Sequence, residues 1–103
     1  MADLTILYWR DIPAQVIAKA GRRSAKRELT LRFIEAIDMA AMRSGAAATD
    51  DYLADWRRGD PTPCGDDLEA EADSAVAAIE AAYPPARLRE LARAGGRAET
   101  GQA

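Results

Sequence analysis

The densest group of side chains able to bind an anion lies between residues 19 and 27. Its five members are Lys19, Arg22, Arg23, Lys26 and Arg27. Basic residues at this density are typical of sites that contact the phosphates of RNA, DNA or a phosphorylated cofactor. The competing interpretation is a solvated connector that pairs with the acidic second half of the chain. We favour the connector, because the net charge is −3 and no RNP strand, GXXG loop or zinc knuckle accompanies the segment.

Two tryptophan–arginine pairs form the second candidate site. Trp9 precedes Arg10, and Trp56 precedes Arg57. Tryptophan and arginine are enriched at the energetic centres of protein interfaces, so these four residues are predicted to bind a protein partner. The alternative is that the aromatic rings belong to the core, since an alanine-rich domain of this size has few other large side chains. The residue types leave both possibilities open.

The sequence offers no set of residues suited to catalysis. It contains no histidine, which removes the commonest general base at neutral pH and the commonest imidazole metal ligand. Cys64 is the single cysteine and has no histidine to activate it. The acidic residues at 50–55 and 66–73 could form a metal or acid–base site, but we favour N-caps and a solvated helix face, because first turns of helices favour carboxylates. We therefore predict no catalytic residues, no metal site and no cofactor, and a chain that is not an enzyme.

The N-terminal part of the chain is predicted to form a β-hairpin or a bent strand pair. Residues 4–10 are apolar on both faces when extended, which is typical of a strand buried on both sides. Pro13 predicts a bend, after which residues 15–20 resume an extended pattern. The basic segment from Gly21 is predicted to be a loop. A lone hairpin is marginal in water, so helices must cover it, and its exposed edge favours a homodimer.

Helices are predicted in most of the remaining chain, because apolar residues recur there at helical spacing. The predicted ranges are 28–44, 49–58, 66–83 and 85–92. Residues 60–65 are predicted to be a loop, since proline and glycine are frequent there. Strands followed by helices indicate an α+β fold, in which the strand pair is packed by three to four helices.

Length and composition indicate how this fold is organised. The 103 residues are enough for one domain, which we place at 1–94. Residues 95–103 are predicted to form a disordered tail, because they are polar and lack periodicity. No apolar run approaches the length of a membrane span, and the N-terminus lacks the pattern of a signal peptide. We therefore expect a cytoplasmic protein without membrane contact.

Four segments together resemble a known family, the small bacterial virulence factor domain, which is similar to the N-terminal domain of conserved virulence factor C. They are YWRDIPAQV at 8–16, KREL at 26–29, IDMAAMRSG at 37–45 and DYLADWRRG at 51–59. The resemblance covers about residues 4–83. The resemblance supplies no catalytic residues to carry over to this chain. It also implies an accessory role beside corrinoid- or folate-dependent methyl-transfer enzymes of one-carbon metabolism.

These observations favour a non-catalytic protein-interaction module that accompanies other proteins, with methyl-transfer enzymes among the expected partners. The alternative is a small RNA- or DNA-binding protein that uses the basic segment 19–27. The two hypotheses differ in their salt dependence, because binding to phosphates weakens steeply as salt rises. Protein docking through tryptophan and arginine does not require that dependence.

Overall fold

The computed structural model describes residues 2–45 and 49–97, and it has an antiparallel sheet of five strands with four helices in this part of the chain. The elements, in chain order, are β1 (Ala2–Trp9), β2 (Ile12–Ala20), β3 (Arg23–Glu28), α1 (Leu31–Arg43), α2 (Thr49–Ala54), β4 (Trp56–Arg58), β5 (Thr62–Cys64), α3 (Leu68–Ala82) and α4 (Pro85–Arg93). The predicted α+β class is confirmed. The sheet is larger than the predicted strand pair.

The central strand of the sheet is β1. It pairs with β2 along one edge and with both β4 and β5 along the other, which gives the order β3-β2-β1-β4 with β5 beside β1. Neither edge of β1 is therefore open over these pairings. The sheet ends at β4 and β5 on one side and at β3 on the other, where Arg23, Lys26, Arg27 and Glu28 supply charged side chains. Charge on an edge strand opposes pairing with a second chain, so the predicted homodimer gains no support from an apolar strand edge.

The basic segment was predicted to be a loop, and this prediction is wrong for residues 23–27, which together with Glu28 are in a strand. They form β3, which pairs with β2 from Gln15↔Glu28 to Ala20↔Arg23. The segment lacks the alternation of apolar and polar residues that marks a strand, because only Ala25 within it is apolar and buried. Its strand conformation depends on the ladder that β2 offers rather than on its own residue pattern.

The second strand begins at Ile12, three residues before the predicted start, and it includes Pro13. Leu7 pairs with Gln15 and Tyr8 pairs with Pro13, so the register shifts by one residue at this point. Proline cannot donate a ladder hydrogen bond, and strands accept it where pairing is irregular. The predicted bend is therefore a bulge within the hairpin, and the turn itself is the two-residue segment Arg10–Asp11.

Three predicted boundaries in the middle of the chain are corrected. The first helix starts at Leu31 rather than at residue 28, because residues up to Glu28 are held in β3. The second helix ends at Ala54 rather than at residue 58, since residues 56–58 form β4 against Leu7–Trp9. Part of the predicted loop at 60–65 is β5. By contrast, α3 and α4 lie where the sequence predicts them.

The core lies between one face of the sheet and the helices. Its largest fully buried side chains are Trp9, Phe33, Ile12, Ile37, Val16 and Pro13. Helices α1 and α3 pack against β2, and α3 also contacts β3 and β1. The opposite face carries Thr5, Leu7 and Ile17, which are only half-buried. The prediction that β1 is buried on both faces is therefore wrong, because the helices cover one face alone.

The first residues after α4 pack against the fold, whereas the sequence predicts a disordered tail from residue 95. Gly95 and Gly96 are buried, and the amide of Asp11 donates to the Gly96 carbonyl at 2.8 Å. Residues 95–97 therefore pack against the hairpin turn. Residues 98–103 lie outside the described part of the chain.

The start of α1 is held by a carboxylate from α3. The Glu80 side chain accepts hydrogen bonds from the Thr30 amide at 2.8 Å and the Thr30 hydroxyl at 2.9 Å. It also pairs with Arg32 at 2.9 Å. Thr30 is the N-cap residue of α1 and its own side chain makes no capping bond. Glu80 therefore satisfies a helix N-terminus from a distant part of the chain.

We expect Glu80→Ala to lower the free energy of unfolding by about 2 kcal/mol, because it removes both hydrogen bonds to Thr30 and the ion pair with Arg32. Urea denaturation followed by circular dichroism measures the change. The control is Glu90→Ala on α4, an exposed glutamate that forms no ion pair with a described residue, and it should change stability by less than about 0.5 kcal/mol. Equal losses in the two variants would contradict the bridging role of Glu80.

Candidate functional site

The five basic residues of the segment 19–27 do not converge on one surface. Strand alternation places Arg23, Ala25 and Arg27 on the helix-covered side of β3, and Lys26 on the other side. Lys19 pairs with Ser24 and shares the open face with Lys26. Arg22 is exposed in the turn between β2 and β3. The segment therefore divides into separate groups instead of forming a single phosphate-binding loop.

Arg27 is engaged with the acidic helix α3. Its Nε lies 2.8 Å from Asp73 Oδ1, and its Nη2 lies 3.6 Å from Glu69 Oε1. Arg23 lines a cleft together with Asp66, Asp67 and Glu69. These contacts agree with the interpretation that the basic segment pairs with the acidic second half. Lys19 and Lys26 are the basic members left on the open face.

Trp9 is a core residue rather than a partner contact. Its side chain is fully buried, and its Nε1 donates to the Tyr52 carbonyl at 2.8 Å. The Tyr52 ring stacks on it at a centroid distance of 5.8 Å and meets Trp56 edge-on at 5.9 Å. Trp9 is therefore inaccessible to a partner in this structure. Trp56 is half-buried, and its predicted role in partner binding stays a prediction.

Arg10 joins three segments of the chain at the hairpin turn. Its Nε pairs with Asp55 at 3.0 Å and its Nη1 donates to the Gly95 carbonyl at 2.7 Å. Its backbone has a φ of 54°, which is uncommon outside glycine. Only 14% of the side chain is exposed. These contacts hold α2 and the C-terminal turn to the hairpin, so a structural role accounts for Arg10.

Arg57 belongs to a polar cleft that the sequence does not reveal. It lies over the Tyr8 ring at 4.6 Å, and its Nη2 contacts Asp11 at 3.2 Å. Across the cleft, Arg87 lies over the Tyr83 ring at 4.2 Å. The cavity measures about 400 Å³. Its lining residues are Tyr8, Asp11, Arg57, Gly59, Asp60, Tyr83, Arg87 and Leu91.

The predicted partner-binding residues include Arg57 but miss the other three aromatic and basic members of this cleft. Tyr8, Tyr83 and Arg87 come from β1 and from the junction of α3 and α4. They are far apart in the chain, and no local spacing links them. Burial raises the pKa of the Tyr8 hydroxyl, and the nearby Tyr83 raises it further. Tyr8 therefore stays a protonated hydrogen-bond donor at neutral pH.

The outward side of α1 is unusually apolar. Leu31 is 68% exposed and Met42 is 73% exposed, and Ile34 and Met39 are also exposed. Two exposed carboxylates, Glu35 and Asp38, lie on the same side of the helix. Helices of globular proteins usually present a polar outer face, so this exposed apolar surface is a candidate interaction site.

A shallow groove continues this surface toward α4. It measures about 270 Å³ and includes Ala36, Met39, Leu88 and Ala92. Outside this helix, Leu53 of α2 is a further large apolar side chain that is exposed. We call the set Leu31, Ile34, Met39 and Met42 the α1 outer face.

Cys64 lies in an environment that disfavours its reactive form. Partial burial raises the pKa of the thiol, and the neighbouring carboxylates of Glu71, Asp3 and Asp66 raise it further. The thiolate is the nucleophilic species, so this position does not favour attack by Cys64 at neutral pH. Within residues 2–45 and 49–97, no group of three or more metal-ligating side chains has the geometry to hold a metal ion.

None of the described helices is both long and apolar enough to cross a bilayer.

Comparison with known proteins assigns the chain to a family. No curated protein and no solved structure shows significant similarity to the chain. Residues 7–92 match the family described as Virulence factor, which includes every element from β2 to α3 in full. The chain therefore belongs to the virulence factor family.

Proposed function

We propose that the chain is a non-catalytic, cytoplasmic interaction module that docks another protein on the α1 outer face. The exposure of four large apolar side chains on one helix is the observation that carries the proposal. Each exposed side chain of this size costs free energy in water that a partner surface would recover. Burial of such a patch is a common source of affinity in protein complexes.

The charges on the same surface indicate the kind of partner. Glu35 and Asp38 are exposed between the apolar side chains, so the partner should carry apolar anchors beside lysine or arginine. An amphipathic helix with a basic flank satisfies both requirements, with its basic residues beside Glu35 and Asp38. The resemblance to the small virulence factor domains directs attention to corrinoid- or folate-dependent methyl-transfer enzymes as the first class of partner to test.

We expect Leu31→Glu combined with Met42→Glu to weaken partner binding at least about 100-fold, because two exposed apolar anchors become charged. Both side chains are exposed, so the fold should tolerate the change. The measurement is affinity capture by the tagged chain, followed by titration of the purified partner. The matched control is Lys19→Glu combined with Lys26→Glu, which alters the open face of the sheet instead.

The control pair also tests nucleic-acid binding as the competing function. Lys19 and Lys26 share the open face of the sheet, and they are the two basic residues of segment 19–27 placed there. If the lysine variant loses binding, and if salt weakens that binding steeply, the ligand is a nucleic acid and the proposal is wrong. If light scattering instead shows that Leu31→Glu with Met42→Glu dissociates a dimer, the α1 outer face binds a second copy of the chain.

A further inference from the structure

We propose that the cleft between Arg57 and Arg87 binds a compact oxyanion, such as a carboxylate or a phosphate group. This site is independent of the α1 outer face. The cleft uses Arg87 and Leu91 of α4, whereas the groove beside α1 uses Leu88 and Ala92 of the same helix. A substitution that abolishes binding at one site should therefore leave binding at the other site unchanged.

The cleft contains hydrogen-bond donors that the fold does not use. Neither the Tyr8 nor the Tyr83 hydroxyl makes a hydrogen bond with a described residue. Arg87 donates to the Ala82 carbonyl at 2.7 Å through Nη1, and it forms no ion pair within the described part of the chain. Two hydroxyls and the remaining guanidinium donors around one cavity are the groups that recognise a carboxylate or a phosphate.

Both arginines are held by aromatic rings at the walls of the cleft. Arg57 stacks over Tyr8 from the sheet side, and Arg87 stacks over Tyr83 from the helix side. Arg57 uses two of its donors within the fold, because its Nε donates to the Arg10 carbonyl at 3.0 Å and its Nη2 to Asp11 at 3.2 Å. A ring face holds a guanidinium in place without using its N–H groups, so Arg87 is the arginine with donors left for a ligand. Gly59 keeps the cleft open, because a Cβ at this position would lie 3.0 Å from the Tyr8 ring. The site is therefore largely formed before a ligand arrives.

The carboxylates of the cleft limit the charge of the ligand. Asp11 lies 3.2 Å from Arg57 and balances its charge, while Arg87 has no such partner among the described residues. Asp60 lines the cleft and is exposed. Together these two carboxylates repel an extended polyanion. They leave a site with a local positive charge at Arg87, which suits one small oxyanion group rather than a nucleic-acid backbone.

The test is titration of the full chain with inorganic phosphate and, separately, with acetate at constant ionic strength, followed by NMR of the tyrosine rings and arginine Nε–H groups. We expect saturable shifts at the cleft with at least one of the two anions. Arg87→Gln should weaken the affinity at least about 10-fold, and Tyr8→Phe and Tyr83→Phe about 3-fold or more. Arg93→Gln is the control, because it removes the same charge from α4 outside the cleft.

The outcomes separate the two sources of the oxyanion. Tighter binding of phosphate indicates a phosphorylated ligand, and tighter binding of acetate indicates a carboxylate. Each tyrosine variant removes one hydroxyl oxygen that makes no hydrogen bond with a described residue, so the fold should be retained. A loss of affinity in these variants therefore reports on the cleft rather than on unfolding. Absence of saturation with both anions, unchanged affinity in both tyrosine variants, or an equal loss in Arg93→Gln would overturn the proposal. None of these results would alter binding at the α1 outer face.

Discussion

We expect replacement of Trp9 by alanine to lower the free energy of unfolding by about 4 kcal/mol. The side chain is fully buried at the end of β1 and is the largest in the core. Its removal leaves a cavity in the core cluster to which Phe33 and Ile37 also belong, and it leaves the Tyr52 carbonyl without its donor. A domain of this size has a free energy of unfolding of about 5–15 kcal/mol, so the variant loses a large part of its stability.

Urea denaturation measures this loss of stability as a lower midpoint concentration at an unchanged m-value. Trp56→Ala is the matched control, because the same side chain is removed from a half-buried position and the loss should be about half as large. Trp9→Phe should fall between the two, since it restores volume but not the indole donor. Comparable losses in Trp9→Ala and Trp56→Ala, or a folded Trp9→Ala that merely fails to bind a partner, would contradict the core assignment of Trp9.

We expect Gly96→Ala to destabilise the protein by about 3 kcal/mol, the second-largest effect. The residue has a φ of +88°, and a Cβ there would lie 2.9 Å from the Trp9 ring and 3.4 Å from the Ala40 side chain. The variant therefore costs both backbone strain and displacement of the fully buried Trp9 ring. Differential scanning calorimetry should show a lower melting temperature for this variant.

Gly45→Ala separates the two costs. Its φ is +77°, but a Cβ there meets nothing within 4 Å, so the variant carries backbone strain alone and should lose about 1 kcal/mol. The difference between the two variants measures the contact between the C-terminal turn and Trp9. If Gly96→Ala is neutral, residues 95–97 do not pack as the structure shows and belong to a disordered tail.

The helices show how much the sequence determined on its own. Asp67 caps α3 by accepting from the Ala70 amide, and Pro85 is the first residue of α4. Both signals lie within one turn of the helix they start, so they are visible without knowledge of the fold. The buried stripes of these helices also recur at helical spacing. The α+β class and the positions of α3 and α4 follow from such local features.

The edge strands of the sheet depended on the strands beside which they lie. Residues 56–58 continue a helical pattern in sequence, yet they form β4 because β1 presents free ladder groups from Leu7 to Trp9. Residues 23–28 become β3 beside β2, their neighbour in the chain, because the two-residue turn at 21–22 brings them onto its ladder. In both cases the partner strand supplies the backbone hydrogen bonds, so the residue pattern of the short strand does not disclose them.

The candidate sites also depend in part on the sequence and in part on tertiary packing. The absence of histidine and the positions of the basic and aromatic residues can be read from the sequence without knowledge of any contact. Only tertiary packing decided that Trp9 is buried, that Arg27 pairs with Asp73, and that Tyr8 and Tyr83 share one cleft with two arginines. The physical reason is that residue type determines which interactions a side chain can make, whereas the long-range pairing of strands and helices determines which partners it meets.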